Sequence, residues 1–258
     1  MSELLMLERV TMEFGGLRAI GDLDFHIAPE EMVGLIGPNG AGKTTVFNII
    51  TGVYKPTFGA IHFNGVSLHD KKANRITALG IARTFQNIRL FGSLSVFDNV
   101  RTAMNGRLRH GIIHSLTRGP AFRDEEERIR GQALALLDIF GLKDDADRQA
   151  TDLPYGDQRR LEIVRALATG PQLLLLDEPA AGMNPTEKVR LMELIHFVQE
   201  KFRIAVLLVE HDMRVVMGVC QRIVVLDHGQ KIAEGSPQAI QRDPKVIEAY
   251  LGEEAHHA

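Results

Sequence analysis

Residues 37–45 constrain this sequence more than any other stretch, because they complete the pattern G-x-x-x-x-G-K-[ST] as Gly-Pro-Asn-Gly-Ala-Gly-Lys-Thr-Thr. An apolar run at 32–36 precedes the pattern, and a helix-like stretch at 46–51 follows it. A strand before and a helix after are the context in which this pattern forms a phosphate-binding loop. The sequence therefore predicts a nucleoside triphosphate site.

Each residue type in the loop has a physical task. The glycines let consecutive backbone N–H groups turn toward an anion, and the following helix adds the partial positive charge of its N-terminus. The side chain of Lys43 reaches the β- and γ-phosphates, and the hydroxyl of Thr44 holds Mg²⁺. The predicted ATP-contacting residues of the loop are Gly37, Pro38, Asn39, Gly40, Ala41, Gly42, Lys43, Thr44 and Thr45.

The composition limits the class of protein that carries this loop. Of 258 residues, 45% are hydrophobic and 24% are charged, which is ordinary for a globular protein. Apolar runs such as 204–209 are too short to span a bilayer, and the first residues lack the pattern of a secretory signal. The lone Cys220 excludes an internal disulfide and a cysteine zinc site, and a net charge of −3 gives no support for a nucleic-acid surface. We expect a cytosolic protein without a nucleic-acid partner.

Hydrophobic periodicity predicts two kinds of strand. The first 30 residues alternate apolar and polar positions, which indicates half-buried antiparallel strands, and Asn64-Gly65 is a later turn. Apolar runs without alternation, at 173–176, 204–209 and 223–226, indicate buried strands of a parallel sheet.

Helical signals lie between and after these runs. Asp124 with Glu127 predicts a helix start, Asp157 predicts the cap of a second helix, and a third helix is expected from Pro185 to about Phe202. The expected fold is an α/β phosphate-loop NTPase core with an N-terminal antiparallel β subdomain and an inserted helical subdomain. The core comprises 1–86 and 171–258, the helical subdomain is 87–170, and the segment 104–122 receives no assignment.

Polar residues follow the predicted buried strands. Asp177 and Glu178 end the run at 173–176, and His211 comes just past the run at 204–209. Ligands bind at the carboxyl ends of the strands in an α/β sheet, so these residues converge with the phosphate loop. An Asp there binds Mg²⁺ beside Thr44, and the next carboxylate polarises a water for attack on the γ-phosphate.

Residues 153–157, Leu-Pro-Tyr-Gly-Asp followed by Gln-Arg, resemble the signature of ABC-transporter ATPase subunits, whose usual form is Leu-Ser-Gly-Gly-Gln before Gln-Arg. The resemblance covers essentially the whole chain, with its motifs in the order of the family. It implies ATP and Mg²⁺ as ligands and a head-to-tail pair of subunits, in which each signature faces the ATP of its partner. The signature residues are Leu153, Pro154, Tyr155, Gly156 and Asp157.

The resemblance also implies roles outside the signature. The implied catalytic residues are Lys43, Glu178 and His211, and the implied Mg²⁺ ligands are Thr44, Gln86 and Asp177. Gln86 is the glutamine-loop residue beside ATP, and His211 is the switch histidine. Phe14 matches the aromatic residue that stacks on adenine, with core packing as the open alternative. Asn184 stands where the family usually has Asp.

Within the family, the chain most resembles the first ATPase subunit of branched-chain amino-acid importers. The supporting stretches begin at Gly15, Arg83, Tyr155, Asp177 and Val246. This resemblance implies a peripheral protein on the cytoplasmic face of the inner membrane. Its implied partners are a second, paralogous ATPase subunit, two integral membrane permease subunits and a solute-binding protein that acts through them.

The signature departs from the family form at three positions, Pro154, Tyr155 and Asp157. The family Ser contacts the γ-phosphate through its hydroxyl and N–H, and Pro154 offers neither. Asp157 adds a carboxylate near that anion, a cost unless it serves only as a helix cap. We therefore expect a heterodimer in which this chain receives a more regular signature than it gives.

Other functions stay open at this point. The cargo alternatives are urea, amides, or export of an envelope lipid. A DNA-repair or ribosome-rescue ATPase is disfavoured, because the chain has neither coiled-coil arms nor zinc cysteines nor a second ATPase unit. A nucleotide-binding regulatory subunit without turnover is disfavoured by the presence of Glu178 and His211.

Overall fold

The computed structural model describes residues 3–105 and 120–256, and the chain separates into two units. One unit combines Met1–Arg83 with Gln172–Ala258, and the other is Thr84–Pro171. Most of the segment 104–122, which received no assignment from the sequence, lies outside the described residues.

Strands and helices alternate along much of the chain. The strands are β1 Leu5–Phe14, β2 Leu17–Ile27, β3 Met32–Ile36, β4 Phe58–Phe63, β5 Val66–Ser67, β6 Ile81–Arg83, β7 Leu173–Asp177, β8 Ala205–Val209, β9 Arg222–Asp227 and β10 Gln230–Gly235. The helices are α1 Lys43–Ile50, α2 Ala73–Leu79, α3 Val96–Asn105, α4 Pro120–Ile139, α5 Tyr155–Ala168, α6 Pro185–Phe202, α7 Met213–Val219, α8 Pro237–Ile240 and α9 Pro244–His256. No helix in the described part of the chain combines the length and the apolar character needed to cross a membrane.

Two sheets form the first unit. An antiparallel sheet has the order β2-β1-β4-β5, and a mainly parallel sheet has the order β10-β9-β3-β8-β7-β6. The turn at Asn64-Gly65 joins β4 to β5 with positive φ at both residues. Every residue of β3, β7 and β8 is buried, as expected for strands covered on both faces. The predicted α/β fold with an antiparallel N-terminal part is confirmed.

Parallel pairing brings the carboxyl ends of the three buried strands to one edge of the sheet. Asp177, the last residue of β7, is the register partner of Val209, the last residue of β8. Val209 is also the register partner of Leu35 near the end of β3. The polar segments that follow these strands therefore start side by side, which places the phosphate loop next to the residues after Asp177 and Val209.

In its described residues, the second unit contains α3, α4 and α5, with a short 3₁₀ turn at Ala150–Asp152 before α5. Two predicted helix starts were wrong. The first helix, Pro120–Ile139, already contains Asp124, so Asp124 and Glu127 lie within the helix and do not mark its start. The second is capped by Pro154, and Asp157 lies inside its first turn, where it pairs with Arg160 and makes no capping hydrogen bond.

Candidate functional site

The loop 37–42 joins the end of β3 to the start of α1, so Lys43 is the first residue of that helix. The Lys43 ammonium donates hydrogen bonds to the carbonyl oxygens of Gly37, at 2.6 Å, and of Pro38, at 2.8 Å. Its side chain is buried. The ammonium is thus held against the loop itself, where it would meet a phosphate that the loop binds.

Gly37 and Gly42 give the loop its shape. Gly37 has φ +149°, and a Cβ at this position would lie 2.0 Å from the carbonyl oxygen of Leu226. Gly42 caps α1 in the left-handed conformation with φ +102°, and a Cβ there would lie 2.5 Å from Cδ1 of Ile20. Because backbone atoms cannot yield as the end of a flexible side chain can, Gly37 accepts no larger residue without movement of the loop.

A pocket of about 310 Å³ opens over the phosphate loop. The residues that line it are Leu17, Arg18, Ala19, Asn39, Gly40, Ala41, Gly42, Lys43, Thr44, Thr45, Glu178 and His228. The first turn of α1 holds no acidic residue, so the positive helix end and the Lys43 ammonium act together on an anion. The electrostatics suit a polyphosphate.

Two hairpin turns contribute to this pocket without any motif in the sequence. Leu17 and Arg18 open β2, and His228 lies in the turn between β9 and β10. The next residue, Gly229, donates its N–H to the carbonyl oxygen of Ala41 at 3.0 Å. The sequence did not identify these residues, because only the folded sheets bring the two hairpins to the loop.

Asp177 forms a buried ion pair with Arg83, the last residue of β6. The Arg83 guanidinium donates to Oδ2 of Asp177 at 2.6 Å, and both side chains are only 9% exposed. Arg83 also donates to Oδ1 of Asn48 on α1 at 2.7 Å, and it lies over the ring of Phe47. Arg83 therefore compensates the buried charge of Asp177. The sequence reasoning missed this role, because the two residues are 94 positions apart.

The oxygen donors at this edge of the sheet fit Mg²⁺. Thr44 is exposed and lines the pocket, and Asp177, which the sequence assigns to the metal, lies at the carboxyl end of β7. In the described residues, no group of three or more His, Cys, Asp or Glu side chains could hold a metal by itself. Such a donor set matches Mg²⁺, which typically takes one or two protein oxygens and completes its shell with phosphates and water.

Glu178 and His211 come together at the same edge. Glu178 lines the pocket, and its N–H donates to the carbonyl oxygen of Val209 at 2.9 Å. Its φ of +46° is rare for a residue with a side chain and re-aims the carboxylate as the chain leaves β7. Nδ1 of His211 lies 3.8 Å from Oε2 of Glu178. The structure thus places these two predicted catalytic side chains next to each other.

Phe14 lies at the end of β1 and is 41% exposed, so it is a surface residue and not part of the core. Its ring meets the ring of Tyr54 edge-on, with 5.1 Å between centroids. Phe14 does not line the pocket over the phosphate loop. Stacking of Phe14 on adenine stays a prediction.

Gln86 and the signature belong to the second unit. The carbonyl oxygen of Gln86 accepts a hydrogen bond from the guanidinium of Arg159, and the same guanidinium donates to the carbonyl oxygen of Phe85 at 2.7 Å. Arg159 is buried and pairs with Glu162 at 2.9 Å. This pair, which the sequence reasoning missed, ties the glutamine segment to α5 inside the helical unit.

The five signature residues surround the start of α5. Leu153 is buried, Pro154 is the N-cap, and Tyr155 is 48% exposed beside the guanidinium of Arg159. Gly156 and Asp157 complete the first turn, and Asp157 pairs with Arg160. The N-terminus of α5 therefore keeps backbone donors, but it also carries an acidic group that a neighbouring arginine compensates.

Asn184, which replaces the usual Asp, caps α6. Its side chain accepts from the N–H of Glu187 at 3.0 Å, and the Glu187 carboxylate accepts from the N–H of Asn184 at 2.8 Å. Asn and Asp cap helices about equally well, so the replacement keeps this capping box.

Comparison with families and characterised proteins gives one consistent result. A family model described as "ABC transporter" matches residues 20–181. A second model, "Branched-chain amino acid ATP-binding cassette transporter", matches residues 230–256. The high-affinity branched-chain amino acid transport ATP-binding protein LivG of Escherichia coli K12 is 45% identical over 97% of this chain and 98% of its own length.

A more distant relative and a solved structure are also ATP-binding proteins of transport systems. The lipopolysaccharide export system ATP-binding protein LptB of Acidithiobacillus ferridurans is 33% identical over 98% of this chain and 99% of its own length. The crystal structure of an ATP-binding cassette of an ABC transporter in its ADP conformation has a TM-score of 0.84 and 30% identity. That match covers 98% of this chain and 100% of the solved one.

Proposed function

This chain belongs to the ABC transporter family of ATP-binding proteins, and from that membership we propose that it hydrolyses ATP to drive import of branched-chain amino acids. The observation that carries the proposal is the pocket over the phosphate loop, which both Lys43 and Glu178 line. Hydrolysis of a γ-phosphate needs a cation that binds the phosphate and a carboxylate that activates the attacking water. Lys43 is such a cation, and Glu178, in the loop after β7, is such a carboxylate.

Each of the site residues has a separate role in the proposed reaction. Lys43 and the backbone N–H groups of 37–42 bind and orient the phosphates, and Mg²⁺ held by Thr44 and Asp177 would neutralise charge on their oxygens. The carboxylate of Glu178 accepts a proton from the attacking water. The water oxygen forms a bond to the γ-phosphorus as the bond to the β,γ-bridging oxygen breaks, which yields ADP and phosphate. His211, 3.8 Å from Glu178, orients the carboxylate and the water.

The cargo proposal rests on the relatives. LivG and the Pseudomonas aeruginosa protein BraF, both named for high-affinity branched-chain amino acid transport, are 45% and 42% identical to this chain. The match at 230–256 is to the model for branched-chain amino acid transporters. A second candidate, export of an envelope lipid, is supported by the 33% identity to LptB and is less favoured by the lower identity.

The partners proposed are two permease subunits in the inner membrane, a solute-binding protein that acts through them, and a second, paralogous ATPase subunit. This chain would lie on the cytoplasmic face of that membrane as a peripheral subunit. Its signature would face the ATP of the paralogue, and its own phosphate loop would face the paralogue's signature. Pro154 lacks both an N–H and a hydroxyl, so this chain would give a weaker signature than it receives.

Reconstitution of the assembled transporter in vesicles tests the proposal. We expect Mg²⁺-dependent ATP hydrolysis and leucine uptake that requires the binding protein. Glu178→Gln together with the equivalent change in the paralogue should lower both by about 10²- to 10⁴-fold, as for loss of a general base. Uptake of urea or amides, or lipid release without amino-acid uptake, would assign a different cargo. Absence of Mg²⁺-dependent hydrolysis would indicate a regulatory subunit without turnover.

The asymmetry of the ATPase pair has its own test. In the same assembly, Glu178→Gln in this chain and the equivalent change in the paralogue are assayed separately. We expect the change in this chain to cause the larger loss, because its site receives the more regular signature. Equal losses would show that the two sites contribute alike.

A further inference from the structure

Glu210, the residue between β8 and His211, is a buried carboxylate that the proposed hydrolytic mechanism does not use. Its side chain has no exposed surface. Glutamate is almost never fully buried unless its charge is compensated, since the loss of hydration is costly. Burial raises the pKa of the Glu210 carboxyl, and hydrogen bonds from three backbone N–H groups oppose that rise. A group that is so costly to bury needs an explanation in terms of what it binds.

The two oxygens of Glu210 bind two different loops. Oε1 accepts from the N–H of Ala180, at 2.7 Å, in the segment that follows Glu178. Oε2 accepts from the N–H of His211, at 3.1 Å, and from that of Asp212, at 3.4 Å. The Nδ1 atom of His211 also lies 3.9 Å from Oε2. One carboxylate therefore joins the loop of the proposed base to the loop of the proposed switch histidine.

Other hydrogen bonds also hold the same two segments, through atoms other than the Glu210 carboxylate. Lys188 on α6 donates to Oδ2 of Asp212 at 2.6 Å, and the N–H of Glu178 donates to the carbonyl oxygen of Val209 at 2.9 Å. These contacts fix the ends of the loops. The Glu210 carboxylate differs from these contacts because one side chain binds both His211 and Ala180, which lies two residues after Glu178.

We propose that Glu210 is a positioning residue that holds His211 against Glu178 by binding both loops through one carboxylate. The inference rests on the hydrolytic roles proposed for Glu178 and His211. The Glu210 side chain has no exposed surface, so it acts through these residues and not on ATP. Its loss should leave nucleotide binding intact and change the geometry in which the water is activated.

Glu210→Gln is the first variant to assay, in the assembled transporter. The amide keeps the shape and one acceptor oxygen. Its NH₂ group must face N–H donors on one side, either that of Ala180 or those of His211 and Asp212, so one loop loses its hydrogen bond. We expect kcat for ATP to fall by about 10- to 100-fold, the size of effect that a small misplacement causes, with the Kd for ATP changed less than about twofold.

Glu31→Gln is the matched control. Glu31 lies before β3, away from the carboxyl ends of the strands; it accepts from the N–H of Ala28 at 2.9 Å and pairs with Arg222 at 2.7 Å. We expect a lower melting temperature with kcat unchanged. If Glu210→Gln does not assemble, Glu210→Asp, which keeps the charge on a shorter side chain, replaces it with the same expectation for kcat and Kd.

A double-mutant cycle with His211→Ala separates positioning from a general structural role. If Glu210 acts through His211, adding Glu210→Gln to His211→Ala causes no further loss of kcat. Losses that multiply, or a Kd for ATP that weakens as much as kcat falls, would overturn the positioning role alone. If His211→Ala by itself leaves kcat unchanged, the proposed role of His211 is wrong and this inference fails with it.

Discussion

Two helices of this chain begin where a phosphate is expected, and their N-termini differ. Gly42 caps α1 in a left-handed conformation, Lys43 follows at once, and the first turn holds no acidic residue. Pro154 caps α5, and its first turn holds Asp157. Both ends offer a partial positive charge, but only the first adds a full one.

The difference shows how a helix end is adapted for strong or weak anion binding. At α1, the ammonium and the helix end act on the same pocket. At α5, the carboxylate of Asp157 opposes the helix end, and its pairing with Arg160 reduces that opposition. The sequence predicts that the Asp157 carboxylate repels a bound anion unless it serves only as a helix cap. In the structure Asp157 is not the cap, and its repulsion of an anion is reduced by the ion pair with Arg160.

The largest effect is expected at Lys43. In a transporter whose paralogue carries the change equivalent to Glu178→Gln, Lys43→Ala removes the ammonium from the phosphate loop and should lower ATP hydrolysis by about 10²- to 10³-fold, as for the loss of a preorganised donor. Hydrolysis by the assembled transporter measures it, with Lys55→Ala as the control, because Lys55 is exposed and pairs with the exposed Asp70. Undiminished hydrolysis in Lys43→Ala would remove the distinction drawn between the two helix ends.

Substitution of one glycine near the start of each helix, Gly37 before α1 and Gly156 in α5, compares how closely the surrounding atoms pack against the backbone. Gly37→Ala places a Cβ 2.0 Å from a carbonyl oxygen, whereas at Gly156 an added Cβ meets nothing within 4 Å. We expect Gly37→Ala to lower the free energy of unfolding by about 1–3 kcal/mol, as in overpacking. Gly156→Ala should raise it by up to about 1 kcal/mol, since alanine favours a helix. Urea denaturation measures both, and equal effects would contradict the contrast.

Restoring the family pattern at α5 should strengthen the weaker end. The double change Pro154→Ser with Asp157→Gln removes an opposing charge and adds donors. An effect of about 0.5–1 kcal/mol at a helix N-terminus corresponds to a roughly two- to fivefold gain in hydrolysis. The assay is made in a Glu178→Gln background, so that turnover comes from the site that this signature faces. Unchanged hydrolysis would mean that the signature of this chain does not limit turnover at the paralogue's ATP site.

The smallest effect concerns two ion pairs, Asp157–Arg160 in the first turn of α5 and Lys188–Asp212 at the cap of α7. A hydrogen bond from Lys188 lowers the pKa of Asp212 below its ordinary 3.8. Because the folded pKa is depressed, this stabilisation is present above about pH 4 and is lost as the pH falls through the folded pKa. Asp212→Asn, which can still cap α7, should cost about 0.5 kcal/mol at pH 7 and nothing at the acid end.

The matched variant is Asp157→Asn, which breaks a pair between neighbours on one helix. We expect a cost of about 0.3 kcal/mol in the free energy of unfolding, as for other pairs three residues apart on a helix. Denaturation of both variants across pH 3 to 7 compares them. A larger cost for Asp157→Asn than for Asp212→Asn would reverse the expected order of the two pairs.

Local sequence predicted the parts of the site that depend on local backbone. The strand–loop–helix around 37–45, the strand that ends at Asp177 and the helix Pro185–Phe202 have the predicted positions. Each depends on short-range patterns: glycines where φ is positive, unbroken apolar runs, and a proline after a capping residue. The start of α5 was misplaced, because an aspartate near a helix start fits the cap and the first turn equally well.

The sequence by itself determined a nucleotide-binding α/β fold, its family, and the residues expected to bind phosphate and activate water. Only the tertiary structure decided which groups surround those residues: Arg83 pairs with Asp177, Glu210 accepts from the N–H of His211, and His228 lines the pocket. The physical reason is that a motif fixes backbone geometry over a few residues. Pairing between side chains depends on strand order and register, which bring positions 83 and 177 together across 94 residues.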